Sequence, residues 1–354
     1  MTTVAVPEAR PTRFSLGRLR GPVALVAVLV GLYVLIYIGV GPKALGEAAR
    51  LQETQEQFIN ALTIGAIYAL IAIGYTMVYG IIELINFAHG QVFMVGSFVA
   101  WYLLTSMGFT GPIGDPLVLV AVLFLTFGIC MVVMGIVGVV IDRIAYKPLR
   151  NAPRLAPLIT AIGVSFILEN IIYVTVSNSI ITVPQIIPNP IINIGPIAIR
   201  EINLFVIVLS LVLMIGLQLF IARTRMGRAM RSTASDREAA QLMGVDINRT
   251  IALTFFIGSA LAGAAGVVQG LYFGVTVFTL GFQAGLKAFT AAVLGGIGNI
   301  TGAALGGFMI GFLEVISAVF GYGRWSEAVV FGTLVLVLIF RPTGILGQSS
   351  GDRA

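Results

Sequence analysis

Glu83, Asn86, His89 and Gln91 fall within nine positions of one another in "YGIIELINFAHGQVFMVGSF", Tyr79–Phe98, inside a long and otherwise apolar run. His89 is the only histidine of the chain. In hydrocarbon an uncompensated charge costs a few kcal/mol, so this cluster must be paired, hydrogen-bonded or turned to a polar path. Steps of three residues place Glu83, Asn86 and His89 on one face if the segment is helical, with Gln91 pointing elsewhere. Two chemistries fit. The side chains can form a satisfied network that fixes a helix contact or a helix break, or a polar patch that meets a zwitterionic ligand. A separation of two helices at Gly80–Asn86 would also free backbone ends able to bind carboxylate or amine groups. Glu169 and Asn170 in "SFILENIIYV" and Glu314 in "GFLEVIS" raise the same choice between a functional group and a paired structural acid.

Other chemistry is excluded. The Walker A loop ends in Gly-Lys, and the three lysines, Lys43, Lys147 and Lys287, follow Pro42, Tyr146 and Leu286. The chain therefore binds no ATP through such a loop. "LGGIGNITG" places Thr301 where a dinucleotide fingerprint needs its third glycine after Gly296 and Gly298. One histidine and one cysteine, Cys130, offer neither a nucleophile–base pair nor a zinc site. No catalytic residue, metal site or cofactor is expected.

The elements that carry these residues must be membrane helices. Of 354 residues 58% are hydrophobic and 10% charged, against about 25% charged in soluble proteins. A bilayer core needs roughly 20 apolar residues per helix. Ten crossings are read near 22–40, 57–79, 85–106, 116–140, 156–177, 202–221, 251–271, 286–298, 302–320 and 326–340, the eighth short enough to be broken or re-entrant. The expected fold is an all-α polytopic membrane protein, with a tail at 1–21, a transmembrane domain at 22–340 and a second tail at 341–354. Basic residues divide 16 to 5 between alternate sides, with Lys43, Arg50, Arg200, Lys287 and Arg324 as the minority. The positive-inside rule then puts both termini in the cytoplasm. The proline-rich outer loop "SNSIITVPQIIPNPIINIGPIA" reads as an ordered, irregular cap.

Residues 222–250 form the longest cytoplasmic loop. Ser235 and Glu238 make an S-x-x-E capping box, which predicts a short helix starting at Asp236 and ending at Gly244. Ala239, Leu242 and Met243 form its apolar stripe, flanking Ala240, with Arg237, Glu238 and Gln241 mostly on other faces. So short a helix needs a surface to pack on: the protein's own helices or a groove on a soluble partner. Two small-residue ladders, Gly258, Ala262, Gly266, Gly270 and Gly298, Gly302, Gly306, predict close helix crossings.

"EAAQLMG", Glu238–Gly244, resembles the EAA signature of ABC importer permeases, although no proline-bearing end follows Gly244. Together with "NALTIGAIYALIAIGYTMVYGIIELINFAHGQVFMVGSF", "RMGRAMRSTASDREAAQLMGVDINRTIALTFFIGSALAGAAGVV", "KAFTAAVLGGIGNITGAALGGFMIGFLE" and "RPTGILG", it makes Phe58–Gly347 similar to LivH-type permeases of branched-chain amino acid ABC transporters. The resemblance implies a bacterial inner-membrane subunit forming half of a solute path. Its implied partners are a second homologous permease, two ATPase subunits that bind the ATP, and an extracytoplasmic binding protein. It also implies that a loop helix around Arg228, Ser235 and Ala240 docks on an ATPase. The rival readings are a urea or short-chain amide permease, and an ATP-independent secondary transporter using Glu83, Glu169 and Glu314 as ion-coupling groups.

Overall fold

The computed structural model describes residues 17–41, 46–150, 152–153, 155–194 and 197–347. Lys43, Arg154, most of the N-terminal tail and the end of the C-terminal tail lie outside them. Twelve α-helices run in order: α1 Gly17–Val40, α2 Glu47–Ile82, α3 His89–Ser106, α4 Pro116–Ile141, α5 Leu155–Thr175, α6 Glu201–Arg223, α7 Arg225–Ser235, α8 Arg237–Leu242, α9 Ile247–Phe273, α10 Leu280–Gly295, α11 Ile300–Val319 and α12 Ser326–Phe340. All but α7 and α8 correspond to the ten crossings. Seven spans among the described residues are both long and apolar enough to cross a membrane. The others are α1, with a shorter apolar stretch at Leu25–Val40, α3, which opens on His89 and Gln91, and α10, of 16 residues.

Local chemistry sets the boundaries. Asp115 caps α4 by accepting from Leu117 N at 2.8 Å, with Pro116 at the first helical position. Asp246 caps α9 through Arg249 N at 3.1 Å, and Asn299 caps α11 through Gly302 N at 3.1 Å. Some boundaries differ from the sequence reading: α3 begins at His89 rather than near 85, α10 spans Leu280–Gly295 rather than 286–298, and α2 begins at Glu47 rather than near 57. Arg50 is therefore helical rather than in a loop, and it lies 3.7 Å from the Tyr37 ring centroid.

Two units interlock. In each, a long helix (α2, α9) is followed by a break, a short helix (α3, α10) and another helix (α4, α11). The principal packing partners are α2 with α11 and α4 with α9, so the first helix of each unit lies against the third of the other. The short helix of each unit packs on the first helix of the other, and the two short helices meet. The first helices are five crossings apart and so run in opposite directions, the arrangement of inverted repeats in transporters.

Glycine permits the crossings. A Cβ on Gly96 of α3 would sit 2.9 Å from Gly263 Cα of α9, and one on Gly285 of α10 would sit 2.9 Å from Gly90 Cα of α3. The 258–270 ladder packs as expected, with Gly258 against Gly74 and Gly270 against Ser97 and Val183. The second ladder needs correction. Gly298 precedes α11 in a turn with φ +92°, so only Gly302 and Gly306 lie on the helix, facing Gly295 and Ala291.

The cap after α5 is ordered and partly stranded. Strands β2 (Ile191–Ile194) and β3 (Ile197–Arg200) pair antiparallel, and β1 (Ile181–Thr182) pairs with β4 (Val275–Thr276), which follows α9.

Candidate functional site

The polar cluster marks a helix break, not a helical face. Helix α2 stops at Ile82 because Glu83 turns left-handed at φ +55°, its N–H bonded to Tyr79 O at 2.8 Å. Among the described residues it is the only non-glycine with positive φ, a strained conformation typical of functional positions. Residues 83–86 are not helical, and α3 starts at His89. The helical condition for a shared face of Glu83, Asn86 and His89 is not met, since a left-handed residue ends the register, and the alternative of two helices separated in this region is the one observed. His89 packs back against Gly74, eight residues before the end of α2, and its ring lies 4.6 Å from that of Tyr75. Eight residues are about 12 Å of helix, so the link from Glu83 to Ala88 climbs back into the bundle.

Each polar group acquires a distinct environment. Asn86 is buried, and its Oδ1 lies 3.3 Å from Tyr146 Oη, which also approaches Ile85 O at 3.1 Å. Gln91 is buried and donates from Nε2 to Glu169 Oε2 of α5 at 3.0 Å, while its Oε1 faces Gly281 at the start of α10 without a hydrogen bond to the protein. Asn170 takes no part in this cluster; it is exposed and its Nδ2 donates to Phe166 O of its own helix.

Glu314 is far from the break in a separate ion cluster. Its carboxylate meets Lys287 Nζ at 2.5 Å and receives the Tyr68 hydroxyl at 3.2 Å, with Glu327 3.9 Å from the same ammonium. Lys287, counted from sequence on the outer side, lies within α10 and neutralises a partly buried acid from α11.

Cavities line the break. One of about 430 Å³ lies among Ile82, Glu83, Tyr146, Arg150, Asp236 and Arg237. A narrow gap between Tyr75, Tyr79, Asn86 and Phe289 follows. Beyond it is an open-sided apolar chamber of about 350 Å³ walled by Tyr75, Phe87, Ile162, Phe166, Phe282 and Leu286, of which Phe166 and Phe282 are more than half exposed. Helix α5 flanks the first through Pro157 and the last through Ile162, Ser165 and Phe166. A further cavity of about 260 Å³, beside the cap, is lined by Asn60, Asn203, Arg200 and Tyr272. Asn203 Nδ2 there donates to Asn60 Oδ1 and Thr63 Oγ1, both at 3.1 Å.

Tyr146, Asn60, Asn203 and Asp142 escaped the sequence reading. Asp142, buried in the π-helical turn 142–146, pairs with Arg150 at 2.8 Å. Asn60 and Asn203 carried a readable signal, lone amides inside apolar runs. Tyr146 carried none.

The 222–250 loop holds two helices rather than one. Ser235 ends α7 and its hydroxyl donates to Arg231 O, so the cap of α8 is Asp236, whose Oδ1 accepts from Ala239 N at 2.9 Å. Asp236, one residue later, thus takes the capping role read for Ser235. Arg228 lies on α7. Gly244 is left-handed as expected, at φ +83°. Ala240 is buried, whereas Leu242 and Met243 are 88% and 84% exposed. At the root of α8, Arg237 Nη2 donates to Ile81 O at 2.7 Å, one residue before α2 stops.

Ten apolar helices among the described residues, seven of them long and apolar enough to span a membrane, with a polar helix break inside the bundle and a capped knuckle at one end, define a polytopic membrane permease. The chain belongs to the family described as "Branched-chain amino acid transport system / permease component", which matches residues 57–338. It is 46% identical over 303 residues to the high-affinity branched-chain amino acid transport system permease protein BraD of Pseudomonas aeruginosa, covering 84% of this chain and 97% of that one. It is 42% identical, with the same coverage, to the corresponding LivH protein of Escherichia coli. A probable LivH permease of Methanocaldococcus jannaschii is 30% identical over 226 residues, 61% of this chain and 67% of that one. No solved structure gives a significant match.

Proposed function

We propose that the chain is the membrane-spanning permease subunit of an ATP-driven importer of branched-chain amino acids, supplying half of the solute path in a bacterial inner membrane. Its partners are a second homologous permease, two ATPase subunits and an extracytoplasmic binding protein, and both termini are cytoplasmic. One observation carries the coupling mechanism. Helix α8 exposes Leu242 and Met243 at its tip while Arg237 at its root holds the last turn of α2. Exposed apolar anchors on a short helix suit a groove on a soluble partner. A push on α8 is then delivered through Arg237 to the residue pair Ile82–Glu83, where the break begins.

The path runs along α5 and the break, past Glu83, Asn86 and Glu169. Glu314, neutralised by Lys287, serves packing. The apolar chamber favours an aliphatic amino acid over urea, whose polar groups would find few hydrogen-bond partners on so greasy a wall.

The test is uptake of labelled leucine and of labelled urea into vesicles carrying the full transporter. Leucine uptake that requires ATP and the binding protein supports the reading. Uptake driven by a proton or sodium gradient alone overturns it in favour of a secondary transporter, and uptake of urea in place of leucine overturns the substrate.

A further inference from the structure

The walls of the 350 Å³ chamber and the groups around it match the three parts of an aliphatic amino acid. Its volume is within the range of small-molecule sites, about 300–1,000 Å³, and its walls are aromatic and aliphatic. Glu169 lies three and four residues beyond Phe166 and Ser165 on α5, which places its carboxylate on the face that lines the chamber. Gln91 donates to that carboxylate, and its buried Oε1, lacking a protein partner, is aimed at Gly281, itself part of the chamber wall. A carboxylate and an amide oxygen together suit an ammonium. Helix α10 opens on the chamber at Gly281 and Phe282, and Thr279 before it provides no side-chain cap. Its first amides and dipole suit a carboxylate. A lipid tail or a neighbouring helix would use the apolar wall but neither of these ends.

We propose that this chamber is the transit site of the aliphatic amino acid, with Glu169 and Gln91 Oε1 holding the ammonium, the start of α10 holding the carboxylate, and the wall around Ser165 and Phe166 setting the permitted side-chain size. This rests on the import function proposed above. Ser165 and Phe166 are neighbours on the α5 wall, one small and one large, so Ser165→Leu narrows the chamber and Phe166→Ala widens it, moving selectivity in opposite directions.

The experiment uses the complete transporter in proteoliposomes with saturating binding protein and labelled alanine, leucine and phenylalanine. Ser165→Leu lowers the leucine-to-alanine uptake ratio by about tenfold, the scale of discrimination by an overfilled apolar pocket. Phe166→Ala raises the phenylalanine-to-leucine ratio. Glu169→Gln raises the KM for leucine by about tenfold, as expected for loss of a charge-assisted hydrogen bond. A cysteine at Ser165, in a Cys130→Ala background, reacts with a small thiol reagent more slowly when leucine is present during turnover. Equal loss of every substrate in both size variants, or labelling that leucine does not slow, overturns the chamber assignment while leaving import standing. Labelling blocked without leucine would mean a lipid or a partner helix fills the space, which also overturns it. Absence of leucine uptake by the unaltered transporter sinks both readings.

Discussion

The two helix breaks occupy equivalent places in the interlocked units yet are built from different materials. The break after α9 is closed by backbone. Gly274 adopts φ +71°, its carbonyl accepts from Val183 N at 2.9 Å, and β4 immediately pairs with β1 of the cap. The break after α2 is closed by side chains. Glu83 takes the left-handed turn without a glycine, Tyr146 reaches in to Ile85 and Asn86, and Arg237 grips the last turn from α8. A strand ladder holds one geometry, because each of its bonds supports the next. Side chains from a separate element can carry that element's displacement. In the proposed coupling, the first break is the part that moves and the second stays fixed.

This contrast can be broken at several points. The largest effect belongs to Met243→Asp at the exposed tip of α8 or Glu238→Arg in its exposed first turn, each expected to abolish both ATPase association and uptake, measured by co-purification and isotope flux. Retained association would show that α8 is not the handle. Next is Arg237→Ala, which leaves the tip intact and cuts the link to Ile81. The complex should still assemble and hydrolyse ATP, but with at least about a tenfold loss of uptake per ATP, the worth of one charged hydrogen bond. An unchanged ratio would mean that the first break is no more mobile than the second.

Tyr146→Phe removes the hydroxyl shared by Ile85 and Asn86, at about 1 kcal/mol, and should lower uptake a few-fold with little loss of thermal stability. Gly274→Ala sharpens the contrast from the other side. Its Cβ would lie 3.1 Å from Gln185 Nε2 at a positive φ, so the melting temperature should fall, by about 1 kcal/mol of stability or more, while uptake per ATP is unchanged. Smallest is Glu83→Gly, which relieves a left-handed residue worth roughly 1 kcal/mol and should raise stability slightly while loosening the break.

Much of this was legible beforehand, and the reasons are specific. The ten apolar helices follow from hydrophobic runs because a bilayer dictates helix length. The knuckle was visible from local capping chemistry, although the cap proved to be Asp236, since Ser235 had a competing carbonyl at Arg231. The polar cluster was visible as charge in a greasy segment, but its geometry was not. Spacing left two arrangements open, one helical face for Glu83, Asn86 and His89 or a break at Gly80–Asn86, and only the left-handed turn at Glu83 decided for the break. Asp142 and Tyr146 belong to a π-helical turn that no periodicity announces.

By itself, then, the amino-acid order settled which runs suit lipid and that a short capped helix lies near Ala240, because these depend on neighbours within a few residues. The fold alone decided that Lys287 quenches Glu314, that Gln91 faces Glu169, and that Arg237 holds the end of α2. Those pairs join residues 27, 78 and 156 positions apart. Side chains so distant meet only once packing of the small-residue crossings has fixed where each helix lies.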